Sequence, residues 1–270
     1  MYNKFLKKHS PIKRLGQNFL KNSFIISKII DQMNIQYQDH MIEIGSGLGA
    51  LTVPISQIVK KLIVLEIDEK LVFFLSKNIF SNIVRIFLVN ALNFNYKLFL
   101  KKYDGILFRI FGNLPYNIST LFLLKIMKVN EYIFDMHFMF QKEVADRIIA
   151  LPNTKKYGRL SIVTQYFYNI KIILHATQED FFPKPKVDST FLKFIPIFKK
   201  KNIKKYLILL GYVTQIAFKN RRKIIKNSLG ILFNEKTLLS LGINPLNRPE
   251  NITVLQYSKL VDLIILENLL

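Results

Sequence analysis

The sequence predicts an α/β fold: a mostly parallel sheet covered on both faces, with an antiparallel edge and a small C-terminal helical domain. Three observations carry that prediction. Short runs that are apolar throughout alternate with helix-like stretches between residues 41 and 150, a Pro-rich segment separates two β-rich runs between 171 and 197, and only helical periodicity follows residue 203.

The elements follow in order. After a basic segment (Lys4, Lys7, Lys8, Lys13, Arg14), residues 24–33 have helical apolar spacing. Strands are predicted at 41–44, 62–67, 84–89, 105–111 and 132–140, and helices at 51–59, 69–79, 119–127 and 141–150. The β-rich runs 171–176 and 190–197 flank Phe181-Phe182-Pro183-Lys184-Pro185-Lys186, which is too Pro-rich for regular structure, and two strands so joined suggest an antiparallel edge. A break at Phe198-Lys199-Lys200-Lys201-Asn202 precedes helical stretches at 203–218, 221–229, 235–241 and 253–269. The expected domains are therefore 1–200 and 201–270.

Composition narrows the function. A chain of 270 residues with 50% hydrophobic content can fill a large core. It has no cysteine, and His9, His40, His137 and His175 are scattered, so neither thiol chemistry nor a metal site is expected. No apolar run is long enough for a membrane span and residues 1–21 lack a secretory signal, so a soluble, cytoplasmic protein is expected. The formal net charge of +22 attracts a polyanion. Abundant Lys, Ile, Asn, Phe and Tyr also fit a compositional bias, but the clustering of the excess favours nucleic acid.

Gly45, Gly47 and Gly49 follow an apolar strand and open a helix, a loop that lets a ligand sit against the backbone. The same residues fit the dinucleotide fingerprint, with Glu66 at the distance expected of a ribose ligand. An ordinary tight turn, a dinucleotide site and an S-adenosylmethionine site all remain open on this loop alone.

Asn113-Leu114-Pro115-Tyr116, at the end of another apolar strand, narrows the choice. The lone pair of an adenine amine is delocalised into the ring, so the useful help is hydrogen-bond acceptance. The side-chain carbonyl of Asn113 and the backbone carbonyl of Leu114 are suited to accept its two N–H groups, Tyr116 to stack on the base, and Pro115 to stiffen the turn. Together the two segments suggest methyl transfer from S-adenosylmethionine to a nucleobase amine, without a general base.

With these residues the chain resembles the ribosomal RNA adenine N6,N6-dimethyltransferases. The resemblance runs through Gln17-Asn18-Phe19-Leu20, Glu43 to Gly47, Leu65 to Asp68, Phe111 to Ser119, Gln141 to Val144, Tyr157 to Ser161, Pro185 to Ser189 and Asn220 to Lys223. It implies a Rossmann-like methyltransferase sheet and dimethylation of two adjacent adenosines near the 3′ end of small-subunit rRNA, with either the free rRNA or a pre-30S particle as the substrate; a monomer is expected. It also implies that Asn18 and Leu20 border the cofactor, that Gly45 and Gly47 contact it, that Glu66 binds its ribose, and that Asn113 to Tyr116 hold the target amine. Asn90 stands where the family usually carries Asp toward the cofactor adenine, retaining an acceptor oxygen without the charge. Phe181 is implied to stack on the extruded adenine opposite Tyr116; filling core space is the alternative for Phe181 or Phe182.

Arg221, Arg222 and Lys223, with Lys219 and Lys226, fall on a stretch read as helical, and Lys155, Lys156 and Arg159 form a second basic segment; both suit phosphates. His137 reads as a satisfied core residue. Asp68, Glu143 and Asp146 read as loop and capping groups. The competing functions are a NAD-dependent oxidoreductase, which explains neither the charge nor Asn113 to Tyr116, and an assembly factor whose methylation is incidental.

Overall fold

The apolar runs form the middle of a seven-stranded sheet in the computed structural model, which describes residues 10–79, 82–197 and 203–267. The early lysines Lys4, Lys7 and Lys8 and the break at 198–202 lie outside the described residues. A short pair, β1 (Phe19–Leu20) with β8 (Phe181–Phe182), stands apart from the sheet. The sheet comprises β2 (His40–Ile44), β3 (Lys61–Glu66), β4 (Val84–Leu88), β5 (Phe108–Gly112), β6 (Ile133–Gln141), β7 (Tyr168–Ala176) and β9 (Ser189–Pro196), in the order β4-β3-β2-β5-β6-β9-β7. β2 to β6 pair in parallel, and β9 runs antiparallel to β6. The chain moves outward from β2 to β4, then returns to place β5 on the other side of β2. That reversal leaves a crevice beyond the carboxyl ends of β2 and β5, where open α/β sheets bind ligands.

Central strands are buried on both faces: Leu62, Ile63, Val64 and Leu65 of β3 are all at most 1% exposed, which explains why they read as unbroken apolar runs. The helices beside these strands are α1 (Ser23–Met33), α2 (Thr52–Ser56), α3 (Glu69–Asn78), α4 (Tyr96–Leu100) and α5 (Tyr116–Ile126). Asn22 and Asp68 cap α1 and α3 through their side chains. α4, capped by Asn95, is not predicted from the sequence because its five residues are too few to show a period. β5 starts later than predicted because Gly105 turns the chain with φ +71°.

By packing, the described residues up to Lys142 and Lys171–Pro196 form one unit, and Glu143–Ile170 with the described residues from Ile197 onward form another. The second unit holds most of α6 (Lys142–Ile148), and α7 (Arg159–Phe167), α8 (Ile203–Lys219), α9 (Ile225–Leu229), α10 (Glu235–Ser240) and α11 (Val254–Leu266). Tyr166 of α7 stacks on Tyr206 of α8 with ring centroids 4.6 Å apart, and the Tyr157 hydroxyl donates to the carbonyl of Ile252. Segment 143–170 therefore associates with the C-terminal helices although it lies before most of β7 in sequence. Residues 221–224 form a turn, so the predicted helix at 221–229 begins only at Ile225.

A buried ionic cluster lies toward the amino ends of β5 and β6. Arg109 donates to both carboxylate oxygens of Asp135, at 2.8 and 2.9 Å, and to Asp39 at 2.7 Å. His137, read as a satisfied core residue, is fully buried and stacked against Phe191, yet neither ring nitrogen has a hydrogen bond among the described residues. Burial holds it neutral, with a pKa near 4.

Candidate active site

A cavity of about 270 Å³ opens beyond the carboxyl ends of the parallel strands. Its wall gathers Asn18 and Leu20 from the N-terminal segment, Gly45 and Gly47 after β2, Glu66 at the end of β3, Asn90 after β4, and Asn113, Leu114, Pro115 and Tyr116 after β5.

The loop after β2 has φ of +70°, +56° and +82° at its three glycines. A Cβ at Gly47 would stand 2.9 Å from Phe19 Cδ1, so a side chain here would be strained by the positive φ and would force the Phe19 ring to shift. Glu66 ties the loop to β3: its carboxylate accepts from the backbone N–H groups of Gly47 (3.0 Å), Ile67 (2.9 Å) and Asp68 (3.0 Å). Burial raises the Glu66 pKa, and these N–H groups oppose the rise.

Glu43 closes the floor. Its carboxyl is buried, accepts from the Thr52 hydroxyl at 2.6 Å, and is pushed up to about 8 by burial, with Glu66 nearby adding to the shift. A folded-state pKa above the unfolded value makes its contribution to stability complete below pH 4.5 and lost as pH rises through 8. The loss is on the order of 5 kcal/mol. Glu43→Gln is expected to gain stability relative to the parent chain between pH 5 and pH 9 in chemical denaturation; a pH-independent difference would remove Glu43 as the cause.

At the end of β5, Gly112 lets the strand approach β2, since a Cβ there would sit 2.3 Å from the Ile44 carbonyl oxygen. That approach brings Asn113 beside the glycine loop. Asn113 Nδ2 donates to the backbone carbonyl of Asn18 at 2.7 Å, which fixes the amide; Oδ1 accepts no hydrogen bond among the described residues. Tyr116 is half-buried, its hydroxyl 2.6 Å from that of Ser189, and burial raises its pKa. Asn90 Oδ1 accepts from the Leu92 N–H, so this oxygen already shapes the turn after β4.

Phe181 is not on the cavity wall. It is 1% exposed and packs in the core with Leu20, Phe111, Met139 and Phe191. Alternation along β8 turns Phe182 outward, 39% exposed, and Phe181 inward. This corrects the expected placement opposite Tyr116 in favour of the core-filling alternative.

In the second unit, Arg159 opens α7 and is exposed. Arg221 donates to Glu250 at 2.6 Å and to the Lys155 carbonyl at 2.7 Å, while Arg222 and Lys223 are exposed in the turn before α9. The expected row of cations on a helix is therefore a turn with two free heads and one anchored arginine. Lys156 pairs with Asp146 at 2.6 Å.

Three contributors at the site were missed as individuals. Gln17 donates to Asp68 at 2.7 Å and accepts from the Ile12 N–H, pinning the N-terminal segment over the cavity. Ser189 holds Tyr116, and Glu43 lies beneath the loop. For Glu43 the signal was an acid inside an apolar strand; Gln17 and Ser189 belong to quoted motifs, but their partners are distant in sequence. Among the described residues there is no group of three or more His, Asp or Glu suited to a metal, and no helix is long and apolar enough to cross a membrane.

Comparison with known proteins gives concordant results. The model of the ribosomal RNA adenine dimethylase family matches residues 8–266. A ribosomal RNA small subunit methyltransferase A of Buchnera aphidicola subsp. Schizaphis graminum is 49% identical over 268 residues, covering 99% of this chain and 97% of that protein. One from Escherichia coli is 41% identical, covering 97% and 96%. Among solved structures, a dimethyladenosine transferase from Plasmodium falciparum superposes with a TM-score of 0.78 at 23% identity, covering 93% of this chain and 98% of that one. The 23S rRNA methyltransferase ErmE gives 0.68 at 19%, covering 90% and 98%. These two support the fold.

Proposed function

The chain belongs to the ribosomal RNA adenine dimethylase family, and from that premise we propose that it dimethylates N6 of two adjacent adenosines near the 3′ end of small-subunit rRNA, using S-adenosylmethionine. The observation that carries the reading is the Asn113 amide, locked by the Asn18 carbonyl so that Oδ1 is left as an acceptor beside the glycine loop. A hydride-transfer enzyme has no use for such an acceptor pair.

The residues present fit the cofactor. At Gly45 a Cβ would meet only Pro115 Cδ, 3.9 Å away, so the backbone fronts open cavity. Glu66 offers carboxylate lone pairs to ribose hydroxyls, and Asn90 lies on the wall for the cofactor's adenine. When bound, S-adenosylmethionine supplies an electrophilic methyl group on a sulfonium. The protein's part is to accept: Asn113 Oδ1 and the Leu114 carbonyl take the two N–H groups of the target amine, favouring a pyramidal nitrogen whose lone pair is free to attack. Tyr116 supplies a stacking surface for the extruded base.

The RNA lies along exposed cations of the helical unit, Arg159, Arg222 and Lys223, with Arg221 as an anchored member. Replacing Arg222 and Lys223 by Glu is expected to weaken rRNA binding and to make the slope of log K against log salt less negative by about 1 to 2. An unchanged slope would exclude both from the interface. Arg221→Glu is a poor probe, because it would face Glu250.

We place the reaction on the pre-30S particle in the cytoplasm, with the chain as a monomer. Incubation with labelled S-adenosylmethionine and under-methylated small subunits, followed by nucleoside mass analysis, is expected to yield N6,N6-dimethyladenosine. Label absent from adenosine would overturn the reading.

A further inference from the structure

Ser189 is the first residue of β9, paired with Gln141 at the end of β6, and it is fully buried. Its hydroxyl stands 2.6 Å from that of Tyr116, and neither oxygen has another hydrogen bond among the described residues. We propose that Ser189 is a positioning residue whose hydroxyl sets the ring plane of Tyr116, and through it the pose of the target base. The inference rests on the adenine-methylation reading above.

The backbone at Tyr116 is already settled. It opens α5 behind Pro115, whose ring fixes φ at −54°. What remains is rotation of the side chain, because a half-buried ring is not fully clamped by its neighbours. A bond at the far end of the ring has the longest lever over that rotation. The partner is also in the right frame: β9 is registered on β6 and β6 on β5, through Leu192 to Phe138 to Gly112, so Ser189 and Asn113 are placed by the same ladder. Stacking platform and amine acceptor thus keep a constant relation. Of the two buried hydroxyls that open β9, Thr190 meets the ring of His175 on the neighbouring strand, and Ser189 meets Tyr116. A tyrosine hydroxyl that only needed satisfying would find solvent at a cavity rim.

The test is a double-mutant cycle with single-turnover methyl transfer to under-methylated small subunits and calorimetric binding of S-adenosylhomocysteine. Ser189→Ala and Tyr116→Phe are each expected to slow transfer about tenfold, the cost of one such bond. The double variant should be no slower than either, since both remove the same bond. Affinity for S-adenosylhomocysteine should stay within about twofold, and Ser189→Thr should retain most of the rate. A parent-like rate in Ser189→Ala, losses that multiply in the double variant, or a parallel loss of cofactor affinity would overturn the assignment while leaving adenine methylation standing. An unmodified chain that transfers no methyl group to adenosine would overturn the functional reading, and this inference with it.

Discussion

Asn113→Ala is expected to slow methyl transfer by a factor on the order of 10² to 10³, with the fold intact and S-adenosylhomocysteine affinity changed only a few-fold. The factor is what removal of one preorganised polar partner of a developing charge costs in a water-poor site. It is not a packing effect, since Asn113 is half-buried and α5 is entered through Pro115. Asn113→Asp sharpens the test. Asp keeps an acceptor oxygen but has no N–H for the Asn18 carbonyl, which stands 2.7 Å from Nδ2. A carboxylate set against that carbonyl turns away, so the Asp variant should be nearly as slow as the Ala variant. Single-turnover rates of both variants within threefold of the parent would remove Asn113 from the chemistry. Slowing by Ala alone would show that the acceptor matters and that its anchoring by Asn18 does not.

Much of this arrangement was legible because parallel strands buried on both faces advertise themselves as apolar runs, and their carboxyl ends are where Gly45, Glu66, Asn90 and Asn113 fall. The ladder then carries all four to one crevice without further information. What stayed hidden depends on contacts distant in sequence. The β1–β8 pair is two residues long on each side, so no alternation can be read, and its register is what turns Phe181 into the core. The path of residues 12–20 over the cavity rests on Gln17 meeting Asp68, 51 residues away. The association of 143–170 with the C-terminal helices is equally silent, because a packing partner is chosen by shape. The basic run at 219–223 misled for a local reason: its residues suit a helix, but the turn pairs Arg221 with Glu250 and the Thr154–Lys155 carbonyls.

Arg109 is the largest of these hidden features and supports the largest stability prediction. It sits inside a strand that reads as apolar, 4% exposed, and all five of its N–H donors are used: three on Asp135 and Asp39, one on the Asn34 carbonyl at 3.1 Å and one on the Met33 carbonyl at 2.5 Å. The last two are backbone acceptors at the carboxyl end of α1, so one guanidinium closes a helix, a loop and two strands together. Burial acts to raise the Asp135 pKa, but Arg109, His137 and Lys193 outweigh it, and the carboxyl lies below its ordinary value. Arg109→Met, similar in length and uncharged, would strand that carboxylate with Lys193 at 3.1 Å as its remaining close cation and take the guanidinium donor from the carbonyl of buried Met33. The expected cost at pH 7 is about 3–5 kcal/mol in chemical denaturation, the range for breaking a buried pair from one side. Adding Asp135→Leu should recover part of that loss, because the removed charge no longer needs a partner. A single-variant loss below about 1 kcal/mol, or a double variant at the simple sum, would mean the cluster is solvated and energetically slight. Since Arg109 lies at the amino end of β5 and the cavity at its carboxyl end, the methyl-transfer rate per folded molecule should be unchanged, which separates this anchor from Asn113 four residues along the same chain.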